Sequence, residues 1–162
     1  MLNCTYVLEV NMLEVGTKVK DFSLNDAFGE TYTLSKFLGK KVVIYFYPKD
    51  DTPGCTTQAC AFRDAYDDFK KNDVIVIGIS KDSPKSHEQF IKKYELPFIL
   101  LSDEGLDVIN YFGVYVEKSM YGKKYMGVSR STFILNEKGI ITHVFEKASP
   151  SENADDIIKI LK

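Results

Sequence analysis

The chain has 162 residues, the length of one ordinary domain, of which 44% are hydrophobic and 27% charged. Twenty-one Lys and Arg nearly balance 23 Asp and Glu, a formal charge of −2 that argues against a nucleic-acid partner, which usually requires a basic face. No apolar run approaches the ~18 residues of a membrane span, and three cysteines are too few for a disulfide-stapled scaffold.

Residues 1–12, which include Cys4, read as an N-terminal extension in which Thr5 to Val10 has the pattern of an edge strand. The first basic residue is Lys18 and no long apolar stretch precedes it, so no secretory leader is expected. Met1-Leu2-Asn3-Cys4 is similar to a lipoprotein cleavage site but lacks the apolar stretch that such a site follows. A cytoplasmic protein is expected.

Phe22-Ser23-Leu24 and Thr31-Tyr32-Thr33 bracket a glycine-containing turn and predict a hairpin. Val42 to Tyr47 is a continuous run of β-branched and aromatic residues, the pattern of a strand buried on both faces. Cys55, Ala59, Phe62, Tyr66 and Phe69 then recur at intervals of four and three, one stripe of a helix running to Lys71. Val74 to Ile79 is a second buried strand. Ser83-Pro84 starts a helix with proline at its first position, buried through Phe90, Ile91 and Tyr94. Phe98 to Leu101 is a third strand, and this order of strands and helices implies parallel crossovers. Thr132 to Leu135 and Ile140 to Phe145 flank the turn-forming Asn136-Glu137-Lys138-Gly139, an antiparallel hairpin, and Ser151 to Leu161 is a closing helix. The pattern predicts an α/β protein of thioredoxin-like fold, a central mixed sheet flanked by helices, with an N-terminal β-hairpin extension. Its domain spans residues 13–162.

Chemistry concentrates between Pro48 and Cys60, where a buried strand ends and a helix begins. Open α/β sheets place their sites at that edge. Cys55 falls on the first helical turn, where unpaired N–H groups and the positive end of the helix dipole favour a thiolate. A cysteine so placed has a pKa drawn below the free value of about 8.5. The plain alternative is a buried small hydrophobe, since Cys55 also opens the apolar stripe. Cys60, five positions on, lies about 140° around the helix with its Cα about 8.7 Å away. That exceeds the ~7 Å reach of a disulfide, so a bridge requires the helix turn to unwind. A structural zinc site needs four ligands in short pairs, and His87 and His143 are far apart. Asp50, Asp51, Lys123 and Lys124 read as solvated surface charges.

Pro48-x-x-x-Thr52-Pro53-Gly54-Cys55-Thr56-x-x-x-Cys60 resembles the peroxiredoxins, and its Cys-x4-Cys spacing resembles the peroxiredoxin Q subfamily, also called bacterioferritin comigratory proteins. The resemblance runs from about Leu13 to Lys162 and takes in Asp21-Phe22-Ser23-Leu24, Tyr45-Phe46-Tyr47-Pro48, Leu101-Ser102-Asp103-Glu104 and Arg130-Ser131-Thr132-Phe133. It implies a thiol peroxidase acting on hydrogen peroxide and organic hydroperoxides. Cys55 would be the nucleophile that becomes a sulfenic acid. Thr52 would hold the peroxide by its hydroxyl, and Arg130 would set a fixed positive charge beside the sulfur. Pro48 would shield the sulfur from water, and backbone N–H groups at Gly54 and Cys55 would complete the polar pocket. Cys60 would resolve the sulfenic acid as an intramolecular disulfide, reopened by thioredoxin or a similar dithiol. No metal, haem or flavin is implied, and an intramolecular partner cysteine makes a monomer sufficient. Cys4 stands outside this scheme as a candidate for an intermolecular disulfide. The rival readings are a disulfide oxidoreductase, for which Cys-x-x-Cys is absent, a glutathione-peroxidase-like enzyme, whose Trp is absent, and a redox-sensing or chaperone-like binding protein.

Overall fold

A computed structural model describes residues 11–161. Residues 1–10, with Cys4 and the edge strand expected over Thr5 to Val10, lie outside the described residues. Seven strands form one mixed sheet. Its first two strands, β1 (Ser23–Asp26) and β2 (Thr31–Thr33), are the expected N-terminal hairpin, paired Ser23 to Thr33. Three parallel strands follow: β3 (Lys41–Phe46), β4 (Val74–Ser80) and β5 (Ile99–Ser102). The antiparallel pair β8 (Ser131–Leu135) and β9 (Ile141–Phe145) completes the sheet in the order β2-β1-β5-β4-β3-β8-β9.

The pleat of β3 sends Val43, Tyr45 and the following Tyr47 to one face, and Val42, Ile44 and Phe46 to the other. Two cores result. On the first face lie α1 (Pro53–Asp64), α2 (Tyr66–Lys71), α3 (Pro84–Tyr94) and α5 (Asn153–Leu161), contributing Cys55, Phe62, Phe69, Phe90 and Ile157. On the second face lies α4 (Asp107–Phe112), with Ile109 and Phe112 packed against Phe46 and Phe133. α3 starts as its sequence predicts: Pro84 is its first residue and the Ser83 hydroxyl accepts the Ser86 N–H at 3.2 Å. Of its expected buried side, Phe90 is buried while Ile91 and Tyr94 are half-buried.

Three features differ from the sequence expectation. The helix expected from Cys55 to Lys71 is broken at Ala65, whose ψ of 2° turns its carbonyl out of line, so that it accepts from both Asp68 and Phe69. The break leaves Tyr66 half-buried while still bringing Phe69 to 5.7 Å from Phe62. α4 has only six residues and too short a stripe to show in periodicity. The third is a separate two-stranded ribbon, β6 (Tyr115–Met120) and β7 (Lys123–Val128). It turns at Tyr121-Gly122 with both residues at positive φ, 51° and 77°. Most of its residues are exposed, so no alternation of apolar and polar residues announces it.

Candidate active site

The β3–α1 connection carries the candidate residues. β3 ends at Phe46, Pro48 sits half-buried in the bend beyond it, and Asp51 adopts a left-handed conformation (φ 54°) before the helix begins. Pro53 is the first residue of α1, where a missing N–H leaves no bond unmade. Cys55 therefore stands on the first turn, and its side chain is buried in the core beside Ala59 and Phe62. The N–H groups of Gly54 and Cys55 have no backbone acceptor, and the first bond of the helix is Thr56 N–H to the Thr52 carbonyl at 2.8 Å.

Arg130 reaches this sulfur from the far end of the chain. It directly precedes β8, which pairs antiparallel with β3 so that Phe46 lies opposite Ser131. Its Nη2 lies 3.5 Å from Cys55 Sγ, and its Nη1 donates to Gln58 Oε1 at 2.9 Å. Gly54 leaves room for it, because a Cβ there would stand 2.9 Å from Arg130 Nη2. A fixed cation and a helix N-terminus thus converge on one buried sulfur.

Thr52 is not a cap. Its hydroxyl donates to the Lys49 carbonyl at 2.9 Å, leaving its lone pairs free to accept. Neither Pro48 nor Thr52 is hydrogen-bonded to the Cys55 sulfur. Cys60 is half-buried on the same unbroken stretch of α1, and both cysteines are free thiols. The helical geometry from which their separation of about 8.7 Å follows therefore holds.

Several residues that the sequence reading did not single out complete the site. Gln58, fully buried, hands its Nε2 to Asn153 Oδ1 at 3.2 Å, and the Thr132 hydroxyl donates to the same oxygen at 2.8 Å. Gln58 is polar within an apolar stripe, the one signal that sequence offered; Asn153 gave none. Tyr45 belongs to the same core as Cys55, and its hydroxyl is buried without a partner. Burial first, and then the charge of Cys55, push the Tyr45 phenol well above its ordinary range. On the ribbon, the half-buried Lys118 donates to the Val128 carbonyl at 2.6 Å. Burial and then Arg130 pull its ammonium below the ordinary lysine range.

Asp50 corrects the expectation of a solvated charge, for it is buried beneath the loop. The Tyr47 hydroxyl donates to its Oδ1 at 2.6 Å, while Ser86 Oγ and His87 Nδ1 lie 2.8 and 2.7 Å from its Oδ2. His87 Nε2 meets the Leu101 carbonyl at 3.0 Å, so both ring nitrogens of this buried histidine face acceptors. Asp51, by contrast, is exposed. Hydrogen bonds from Lys93 and Tyr94, each 2.7 Å, hold its carboxyl below the usual range. Lys123 and Lys124 are exposed as expected. Among the described residues, Asp50, Asp82 and His87 alone bring three candidate metal-ligand atoms within 4.8 Å of one another. Asp82 Oδ2 already accepts the Asp50 N–H and the Ser80 hydroxyl, so the cluster is engaged in holding the loop.

The chain resembles known proteins along most of its length. Residues 15–144 match the AhpC/TSA family. The chain is 41% identical to peroxiredoxin Bcp of Bacillus subtilis over 150 residues, covering 93% of this chain and 96% of the relative. To peroxiredoxin Bcp of Escherichia coli it is 45% identical over 153 residues, covering 94% and 98%. The solved structure of the bacterioferritin comigratory protein of Xanthomonas campestris, studied for alkyl peroxide reduction, superposes with a TM-score of 0.84 at 38% identity, covering 92% and 95%.

Proposed function

Because the chain belongs to the AhpC/TSA family, and within it to the Bcp or peroxiredoxin Q proteins, we propose that Cys55 is its peroxide-reacting cysteine and Cys60 the partner that resolves it. The protein is a thiol peroxidase of thioredoxin-like fold. The observation that carries the assignment of roles is Arg130 Nη2 at 3.5 Å from a Cys55 sulfur on the first turn of α1.

The Cys55 thiolate attacks the nearer oxygen of hydrogen peroxide or an organic hydroperoxide. The O–O bond breaks, a sulfenic acid forms on Cys55, and the departing alkoxide or hydroxide takes a proton to leave as alcohol or water. Arg130 and the free N–H groups of Gly54 and Cys55 stabilise the charge spreading over the separating oxygens. Thr52, whose hydroxyl donates to the Lys49 backbone carbonyl, accepts a hydrogen bond from the peroxide O–H. Pro48 covers the sulfur side of the loop. After the intervening helix turn unwinds, the Cys60 thiolate attacks the sulfenic sulfur, the S–O bond breaks, and the departing hydroxide takes a proton from solvent to leave as water. A dithiol, thioredoxin or a similar protein, reduces the Cys55–Cys60 bond by exchange and is itself oxidised. No metal or prosthetic group enters the scheme. Resolution within one chain makes a monomer sufficient, with residues 13–162 as the working domain in the cytoplasm. No described helix is long and apolar enough to cross a membrane.

Intact and peptide mass spectrometry after one equivalent of hydrogen peroxide tests the assignment. Loss of two hydrogens mapped to a Cys55–Cys60 link is the expected result. Oxygen retained on Cys55 without a bridge removes Cys60 from its role, a bridge through Cys4 replaces the intramolecular cycle, and an unmodified Cys55 overturns the assignment.

A further inference from the structure

Arginine has only donors, and this fixes the direction of every hydrogen bond behind it. Arg130 Nη1 faces Gln58 at 2.9 Å, so Gln58 presents its oxygen there and its Nε2 points the other way. That nitrogen meets Asn153 at 3.2 Å, so Asn153 presents its oxygen in turn, and the Thr132 hydroxyl donates to the same atom at 2.8 Å. The chain of polarity ends at Asn153 Nδ2, a fully buried donor with no acceptor. Flipping the Asn153 amide would set its NH2 group against that of Gln58. The unpartnered donor is the consequence of holding Gln58 in the one orientation that Arg130 accepts, and buried donors are rarely left so without a compensating demand.

We propose that Asn153, the first residue of the C-terminal helix α5, is a positioning residue for the peroxide reaction. It fixes the Gln58 carboxamide, and through it holds the Arg130 guanidinium against the Cys55 sulfur. Asn153 lies 95 residues from Gln58 and does not touch the sulfur. Thr132, beside it on β8, locks it from the sheet side, while the neighbouring Ala154 and Ile157 of α5 anchor it in the core that contains Cys55. Without Asn153, Gln58 is free to rotate its amide, and Arg130 loses the acceptor that orients its second amino group toward sulfur. The inference rests on the role given to Cys55 above.

The test is alkylation by iodoacetamide at neutral pH, read separately at Cys55 and Cys60 by peptide mass spectrometry. Asn153→Ala slows alkylation at Cys55 and the reaction with hydrogen peroxide by about tenfold, while Cys60 alkylation stays unchanged. In a Gln58→Met background, adding Asn153→Ala slows Cys55 no further, because Asn153 acts through Gln58. Additive losses in the two variants, or a folded Asn153→Ala protein with unaltered Cys55 alkylation, would overturn the proposal. If Asn153→Ala does not fold, the isosteric Thr132→Val reads the same effect at about threefold, and no change there overturns it equally. Slowed alkylation in Asn153→Ala, together with full peroxide turnover in Cys55→Ser, would uphold the positioning role and overturn the functional assignment instead.

Discussion

Gly54 and Arg130 share one volume: a Cβ built on Gly54 would lie 2.9 Å from Arg130 Nη2, so the glycine is what lets the guanidinium reach Cys55. Gly54 does not need a left-handed backbone, and alanine is the better helix former by about 1 kcal/mol. Gly54→Ala is therefore expected to melt no lower than the parent while reacting with peroxide about tenfold more slowly, as the cation is displaced. A Gly54→Ala protein with the full rate of peroxide consumption would show that Arg130 is not needed where it stands.

Replacing each cysteine separates the two halves of the cycle. Cys55→Ser is expected to abolish peroxide turnover. Cys60→Ser should consume one equivalent, leave sulfenic acid on Cys55 and stall with a dithiol reductant. Steady turnover by Cys55→Ser, measured as peroxide consumed against reductant, contradicts the assignment.

Thr52 is expected to act through its oxygen, since its proton is committed to the Lys49 carbonyl. Thr52→Ser should keep most of the rate, and Thr52→Val should lose about a hundredfold. Both are read as the second-order rate constant with hydrogen peroxide. Equal rates for Ser and Val would remove the hydroxyl from the mechanism.

Tyr45 and Tyr47 stack with centroids 5.4 Å apart, yet loss of the hydroxyl is expected to act in opposite directions. The Tyr45 hydroxyl is buried with no partner, so Tyr45→Phe should stabilise the protein by about 1 kcal/mol. The Tyr47 hydroxyl donates to the buried Asp50 carboxylate at 2.6 Å, so Tyr47→Phe should cost about 2 kcal/mol. Urea unfolding of the reduced proteins measures both, and a loss of stability in Tyr45→Phe would mean that its hydroxyl has found a partner.

Oxidation should loosen α1. While the helix is intact its two sulfurs cannot meet, and it is clamped from outside by Arg63 Nη1 on the Tyr94 carbonyl at 2.8 Å. Amide exchange across residues 55–65 is expected to quicken once Cys55 and Cys60 are joined. Unchanged exchange in a protein shown to carry that bond would rule out unwinding.

The central strands and the place of Cys55 were legible because they depend on local pattern: Val42 to Phe46 is apolar throughout, and Cys55 follows a proline that opens the helix beyond that strand. The ribbon of β6 and β7 was not, because with both faces largely exposed its side chains obey no period. Nor was the break at Ala65, because the apolar spacing from Cys55 to Phe69 runs through it without interruption. Asp50 looked like any loop carboxylate, since its partners Ser86 and His87 lie on α3, more than thirty residues away. Asn153 is the extreme case. Its position follows from the packing of the last helix, which no local rule supplies.

The antiparallel pairing of β3 with β8 sets the time at which Arg130 reaches Cys55. Synthesis delivers Cys55 long before Arg130, and the two meet only once Phe46 has found Ser131 across the sheet. Until that long-range contact closes, the emerging chain carries Cys55 without its cation. Completion of the sheet and completion of the site are one event.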